Sequence, residues 1–346
     1  MSKICLISDL HIGTHKNNLQ FLESQIRYFN EEFIPYLKEN SIKEVFILGD
    51  IFDNRQKIDV LVFTKFYRKI FDKLKDFKVH ILLGNHDIYY NTDLKPNSLE
   101  LFRDYENVEI YDEIKKIKLH DKEILMIPWQ VSEFDISNEK ADVCMGHLDL
   151  VGFNMYKHKI SETGCSPKDF YENFKLTFTG HYHIRTEKSN GFSKIIYIGS
   201  PYQLTRNDSG EERGFVVLDL STLEYEYINN KKCIKYITIK YPEQIKKEII
   251  EGNIVDVTID FDENYNQLKF NEYISEIEKC SPLFPPIPRI NNDFIKIDND
   301  KEIDFTNISI ESIIADYIKE VDFIENKDII EKLMNEIYAE TKSDLI

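Results

Sequence analysis

Short apolar runs recur through the first 220 residues, separated by longer amphipathic stretches, and that alternation is the mark of a layered α/β domain. KICLIS, EVFIL, VHILL, EILMIP, DVCMG, LTFTG, KIIYIG and RGFVVLDL read as strands, most of them rich in β-branched residues. Between the first two, Leu19, Leu22, Ile26, Phe29, Phe33 and Leu37 recur at three- and four-residue spacing. This stripe predicts a helix across residues 17–40, which Pro35 should kink or shorten. Val60, Phe63, Tyr67, Ile70, Phe71 and Leu74 predict a second helix over 59–75.

The pattern changes after about residue 230. KKCIKYITIKY, NIVDVTIDFD and NQLKFNEYISEIEKC predict a small α/β domain over 230–290, with SPLFPPIPR as an extended arm. The polar NNDFIKIDNDKE follows as a linker over 291–304. From 305 to 346, two short amphipathic helices are predicted at Ser309–Val321 and Lys327–Thr341. Too small to have a core of their own, they are expected to bury their apolar face on another surface.

The strand ends carry the chemistry. The first strand closes with Asp9 and His11, the second with Asp50 and Asp53, and the third with Asn85, His86 and Asp87; later ones close with His147 and with His181 and His183. In an open α/β sheet the C-terminal ends of strands are where a site forms. His15, His80, His120 and His158 lack such settings. A mixed His, Asp and Asn set suits divalent transition metals, and the absence of Cys from it argues against structural zinc. The donors suffice for two ions, which would need a bridging carboxylate; Asp50 is the candidate. Adjacent side chains in a turn diverge, so His86 is better used as a general acid or charge stabiliser than as a ligand beside Asn85. Asp87 is expected to orient the His86 ring.

Charge and composition narrow the partners. A formal net charge of -17 argues against a passive basic nucleic-acid binder, so a polyanionic substrate would have to be held with help from metal ions or a partner. The last 46 residues hold five Lys and no Arg against twelve Asp and Glu, better suited to protein contact than to DNA. The five cysteines are scattered, as expected of reduced thiols in cytoplasm. No apolar run is long enough to span a bilayer, and the N-terminus passes directly into a strand; a soluble, cytoplasmic protein with no membrane partner is expected.

Taken in order, DLH, GDIFD, GNHD, GH and GHYH resemble the motifs of the calcineurin-like binuclear metallophosphoesterases, over about residues 3–220. GDIFDNR, IPW, YIGSPYQL and ERGF make the chain similar, within that superfamily, to the SbcD-type DNA-repair nucleases and to their phage branch. The resemblance implies a four-layer sandwich, two mixed sheets flanked by helices, over 1–229. It also implies a small α/β capping domain and a C-terminal helical tail. It assigns Asp9, His11, Asp50 and His183 to one Mn²⁺ and Asp50, Asn85, His147 and His181 to the other, with His86 catalytic. Asp53 stands where some members have a histidine linked to strand handling.

The implied activity is metal-dependent hydrolysis of DNA, as exonuclease or endonuclease, by a hydroxide shared between two metals. The implied partners are DNA ends and single strands, a second copy met through helices near 59–75 and 97–105, and an SMC-like coiled-coil ATPase docked on 305–346. The rival readings are a metallophosphatase or small-molecule phosphodiesterase with the same metals, and a non-catalytic scaffold tethering DNA ends. The complete ligand set counts against the scaffold.

Overall fold

The computed structural model describes residues 2–132, 134–157, 159–260 and 266–290, with Lys327, Ile330 and 332–334 beyond them. Lys3–Ile7 (β1), Glu44–Ile47 (β2), Lys78–Leu82 (β3) and Val108–Tyr111 (β4) run parallel, side by side. Lys115–Leu119 (β5), Lys122–Ile127 (β6) and Ala141–His147 (β7) open a second sheet, and Asn154–Tyr156 (β8) and Lys159–Ile160 (β9) form a small hairpin. Phe174–Gly180 (β10), Thr186–Asn190 (β11) and Ser193–Tyr197 (β12) complete the second sheet, after which Gly214–Asp219 (β13) and Glu224–Asn229 (β14) return to the first. The strand orders are β14-β13-β1-β2-β3-β4 and β11-β12-β10-β7-β6-β5.

The central strands are apolar on both faces, which is why EVFIL and VHILL read as unbroken runs instead of alternating ones. Ile4, Leu6, Phe46, Leu48, Val143, Met145, Phe178 and Ile196 fill the space between the sheets. Their neighbours Cys5, Ile7, Val45, Ile47, Val79 and Ile81 face the helices on one side. Leu125, Cys144 and Ile195 pack with Phe170, from the helix Lys168–Asn173, on the other. The result is the four-layer α/β sandwich, each buried Ile, Leu or Phe contributing roughly 1.5–3 kcal/mol.

The first amphipathic stripe is not one helix. Asn18 caps Leu19–Tyr28 by accepting from the Gln20 and Phe21 amides at 3.0 Å, and a wide π-type turn, Phe29–Phe33, leads into Ile34–Glu39. Pro35 has no N–H to give the Glu31 carbonyl, and the wide turn absorbs that loss while Phe29, Phe33 and Leu37 stay buried. The second stripe forms Val60–Lys69, capped by Asp59, then tightens into a single turn at Phe71–Leu74.

Beyond β14, Tyr236–Lys240 (β15), Ile254–Ile259 (β16) and Ile287–Ile290 (β17) make a parallel sheet, with Phe270, Tyr273 and Ile277 of the helix Gln267–Lys279 packed on Val255, Val257 and Ile259. The expectation that SPLFPPIPR is only an extended arm is therefore corrected: its last residues pair with β16. Pro288 is tolerated because β17 is an edge strand. Arg206 and Arg289 both meet one oxygen of Asp256, at 2.7 and 2.9 Å, and join this sheet to the loop after β12.

The chain divides after Ile290, and Asn291–Ile346 is a separate unit whose described residues are helical. The linker and most of the two expected tail helices lie outside the described residues.

Candidate metal centre

β1, β2 and β3 of one sheet and β7 and β10 of the other end at a common edge, and the polar residues that follow them meet there. The loops brace one another: the Asp9 amide donates to the Gly49 carbonyl and the His11 amide to the Asp50 carbonyl, both at 3.1 Å. Asp9, His11, Asp50 and His181 all have left-handed backbones, with φ of 55°, 43°, 54° and 89°. Such conformations at non-glycine residues cost energy and gather at functional sites. At Gly84 a β-carbon would lie 2.2 Å from Asp50 Oδ1, so only glycine lets this loop approach the carboxylate.

The donors form two groups joined by Asp50. In the first, His11 Nε2 and His183 Nε2 lie 3.1 Å apart, with Asp9 Oδ1 at 4.0 Å from His183 Nε2. In the second, the Asn85 Oδ1 atom lies 2.9 Å from His147 Nε2 and 2.8 Å from His181 Nδ1. Asp50 Oδ2 stands between them, 3.6 Å from His11 Nε2 and 3.4 Å from His147 Nε2, while Asp50 Oδ1 accepts the His86 amide at 2.8 Å. Three triads have ligand atoms all within 4.8 Å of one another: Asp9, His11 and His183; His11, Asp50 and His86; Asp9, Asp50 and His147.

Proton accounting tests whether this set fits a metal. His147 Nδ1 donates to the Leu48 carbonyl at 2.7 Å, and the Asp53 carboxylate, 3.2 Å from His11 Nδ1, favours the His11 proton on that nitrogen. The Nε2 atoms of both rings thus turn lone pairs toward other acceptors, the Asp50 carboxylate and the Asn85 oxygen. Something positive must lie among them. In the metal-free protein a proton serves at His147: burial opposes its charge, but the Asp50 carboxylate outweighs burial and pushes its pKa up to about 9. Burial also opposes the charge of Asp50, yet His147 and His11 hold its carboxyl far below the usual range. At His181, burial and the neighbouring His147 lower the pKa to about 3, leaving a neutral ring suited to ligation. Divalent cations meet all these demands at once, so the residues fit them.

All seven expected ligands, Asp9, His11, Asp50, Asn85, His147, His181 and His183, are thus brought together, and His86 joins them with its ring 4.8 Å from that of His11. His80 is apart: it stacks on Phe46 at 4.2 Å and bonds Tyr111 and Glu44 between the sheets.

The expectation for Asp87 is corrected. His86 Nδ1 is held by the Asp53 carbonyl at 2.6 Å, whereas the buried Asp87 carboxylate accepts the amides of Asp50, Gly84 and Ile51 at 2.9, 3.0 and 3.1 Å. It organises the two ligand loops and does not orient the ring. Sequence reasoning also missed Asp53 as the partner of His11 and Trp129 as the ring beside His181, 4.9 Å away. The GDIFD spacing pointed to the first, while only the fold reveals the second.

Residues 2–185 match the model of the calcineurin-like phosphoesterases, and the chain belongs to that family, whose members use divalent metals. It is 30% identical over 352 residues, 98% of this chain and 99% of the relative, to exonuclease subunit 1 of Enterobacteria phage T4. It is 24% identical to the DNA double-strand break repair protein Mre11 of Sulfolobus acidocaldarius, over 95% of this chain and 94% of that one. To the putative phosphoesterase 078R of Invertebrate iridescent virus 3 it is also 24% identical, over 68% and 69% of the two chains.

Proposed function

We propose that the protein is a metal-dependent DNA nuclease that hydrolyses phosphodiesters at the centre formed by Asp9, His11, Asp50, Asn85, His147, His181 and His183. The observation that carries the reading is the pair of acceptor-lined groups sharing Asp50 Oδ2, with the His86 ring held beside them through Nδ1. The names of the phage and archaeal relatives, an exonuclease subunit and a break-repair protein, favour DNA over other phosphoesters.

Bound divalent ions, Mn²⁺ foremost and Fe²⁺ or Zn²⁺ by the same chemistry, would supply charge to the phosphoryl oxygens and lower the pKa of water. Asp50 holds the two groups in register, and Asp53 fixes the His11 ring. With its Nδ1–H given to the Asp53 carbonyl, His86 keeps Nε2 for the substrate; as the doubly protonated imidazolium it donates the Nε2 proton to a phosphoryl oxygen or to the departing sugar oxygen, and the ring is left neutral after that transfer.

Around this centre we read 1–229 as the nuclease domain, 230–290 as the capping domain, 291–304 as a linker and 305–346 as the segment that docks on an SMC-like coiled-coil ATPase. The tail's acidity and the relative's name, which calls it a subunit, support a partner. A second copy is read at an apolar groove of about 420 Å³ beside Val60, Phe63 and Leu101, where Val60 is 80% exposed. The cytoplasm is the expected compartment; among the described residues no helix is long and apolar enough to cross a membrane.

The test is to assay the purified protein with Mn²⁺ on linear DNA and on a small chromogenic phosphodiester. Metal-dependent DNA cleavage that His86→Ala lowers is expected. Turnover of the small ester alone would overturn the nuclease reading.

A further inference from the structure

The only tryptophan of the chain, Trp129, closes a row of aromatic rings at the edge of the metal centre. Buried Tyr197 stacks on buried Tyr182 with centroids 4.7 Å apart and planes at 22°. Tyr182 lies 4.9 Å from His181 at 37°, and His181 lies 4.9 Å from Trp129 at 40°. Trp129 is the outermost ring and only partly buried.

Its placement is fixed from both sheets. It follows β6, whose Ile127 pairs with Gly146 beside His147, and its backbone N–H donates to the Leu83 carbonyl at 2.8 Å, just before Gly84 and Asn85. The Trp129 backbone therefore cannot drift from the candidate ligands without moving the loop that carries Asn85.

We infer that Trp129 is a stacking platform for one unpaired nucleobase next to the phosphate being cleaved. This rests on the nuclease reading and names its substrate: a single strand or a frayed end, because a base held in a duplex has both faces covered. The indole packs against the core in part and is otherwise open, so it has surface left for a flat partner, and every base has such a face. Stacking needs no positive charge, which matters in a chain of net charge -17 that must hold a polyanion. The nearness of His181 to the indole puts the base one step from the phosphate that the metal centre would engage.

The experiment uses the full-length protein loaded with Mn²⁺ and short single-stranded oligonucleotides, each with one tetrahydrofuran abasic unit at a nucleotide flanking the cleaved phosphate. At one position the unaltered protein should lose about tenfold or more in kcat/KM relative to the intact oligonucleotide, the size expected for one lost stack. In Trp129→Ala that ratio should collapse toward one, and Trp129→Phe, which keeps a ring, should retain part of it. Metal content measured on both variants shows whether the centre survives the change. As a readout apart from turnover, the intact oligonucleotide should quench the indole fluorescence in a His86→Ala background, and the matching abasic one should not.

Equal discrimination by Trp129→Ala, or none at any position by the unaltered protein, would overturn the stacking role while leaving the nuclease reading in place. No cleavage of any oligonucleotide by the unaltered protein would overturn both.

Discussion

Replacing Asp87 with Asn separates the role seen in the structure from the one its sequence position implies. Each carboxylate oxygen has two donors: Oδ2 accepts the Asp50 and Gly84 amides, and Oδ1 accepts the Ile51 amide and, at 3.3 Å, the Ser98 hydroxyl. An asparagine keeps one oxygen. Its better orientation places that oxygen on the Asp50 and Gly84 side, because the Ser98 hydroxyl can rotate to accept from the new NH₂. The Ile51 amide then has no acceptor, at about 1–3 kcal/mol for one buried donor, and above about pH 7, to which burial and the Asp50 charge push the Asp87 pKa, the two surviving bonds also lose their charge assistance. The sum is about 2–4 kcal/mol of stability. Urea unfolding of the metal-free variant reads this as a lower midpoint at unchanged slope. Because the freed Ile51 amide follows Asp50 and the weakened bonds belong to Asp50 and to Gly84 beside Asn85, divalent-metal affinity measured by calorimetry should fall as well. A variant that unfolds at the original midpoint and binds metal normally, with only its pH–rate profile altered, would refute this and restore Asp87 as a partner of the His86 ring.

Gly84→Ala sets a β-carbon 2.2 Å from Asp50 Oδ1, so calorimetry should show loss of divalent-metal binding with circular dichroism showing the fold kept; normal titration would contradict the glycine argument. Metal loading should compete with a proton at His147. Because its folded pKa is raised to about 9 from the ordinary value near 6.5, that proton's stabilisation is complete below 6.5 and lost through 9, so affinity should climb across this window, with proton release seen as a buffer-dependent enthalpy. Asp50→Asn removes the shared oxygen's charge and should abolish binding of both ions, whereas loss of one alone would deny Asp50 its bridging place. Val60→Asp should leave metal binding intact but halve the apparent mass in sedimentation if the exposed groove joins two copies; an unchanged mass in both forms would rule that interface out.

The candidate ligand set was legible because its members close apolar runs too continuous to be anything but buried strands, and parallel strands end at one edge. His80 was set aside by the same logic: it lies inside such a run, and the structure gives it core partners. What the linear chain hid were relations between segments. Pro288 disguised β17, whose pairing depends on the open edge of β16 and not on any local preference. Pro35 announced a disturbance, but whether the helix would bend, stop or widen depended on Phe29, Phe33 and Leu37 all finding core positions at once. Asp87 was visible as a carboxylate near a histidine, yet a turn decides which way it faces, and here it faces backbone.

The left-handed ligands connect these observations. Asp9, His11, Asp50 and His181 each hold a conformation that costs of order 1–3 kcal/mol at a non-glycine residue, a sum comparable with the whole stability of many domains. The loops hold such geometry through their own hydrogen bonds: Asp9 to Gly49, His11 to Asp50, and the Asp50, Gly84 and Ile51 amides to Asp87. Those bonds are anchored in strands buried on both faces, where a local shift would break the packing of both sheets. The four-layer core therefore offsets the conformational cost of the site. This also accounts for the division of labour at GNHD. Gly84 makes room and Asp87 ties the turn to the loop after the second strand, which leaves the Asn85 and His86 side chains facing the candidate centre.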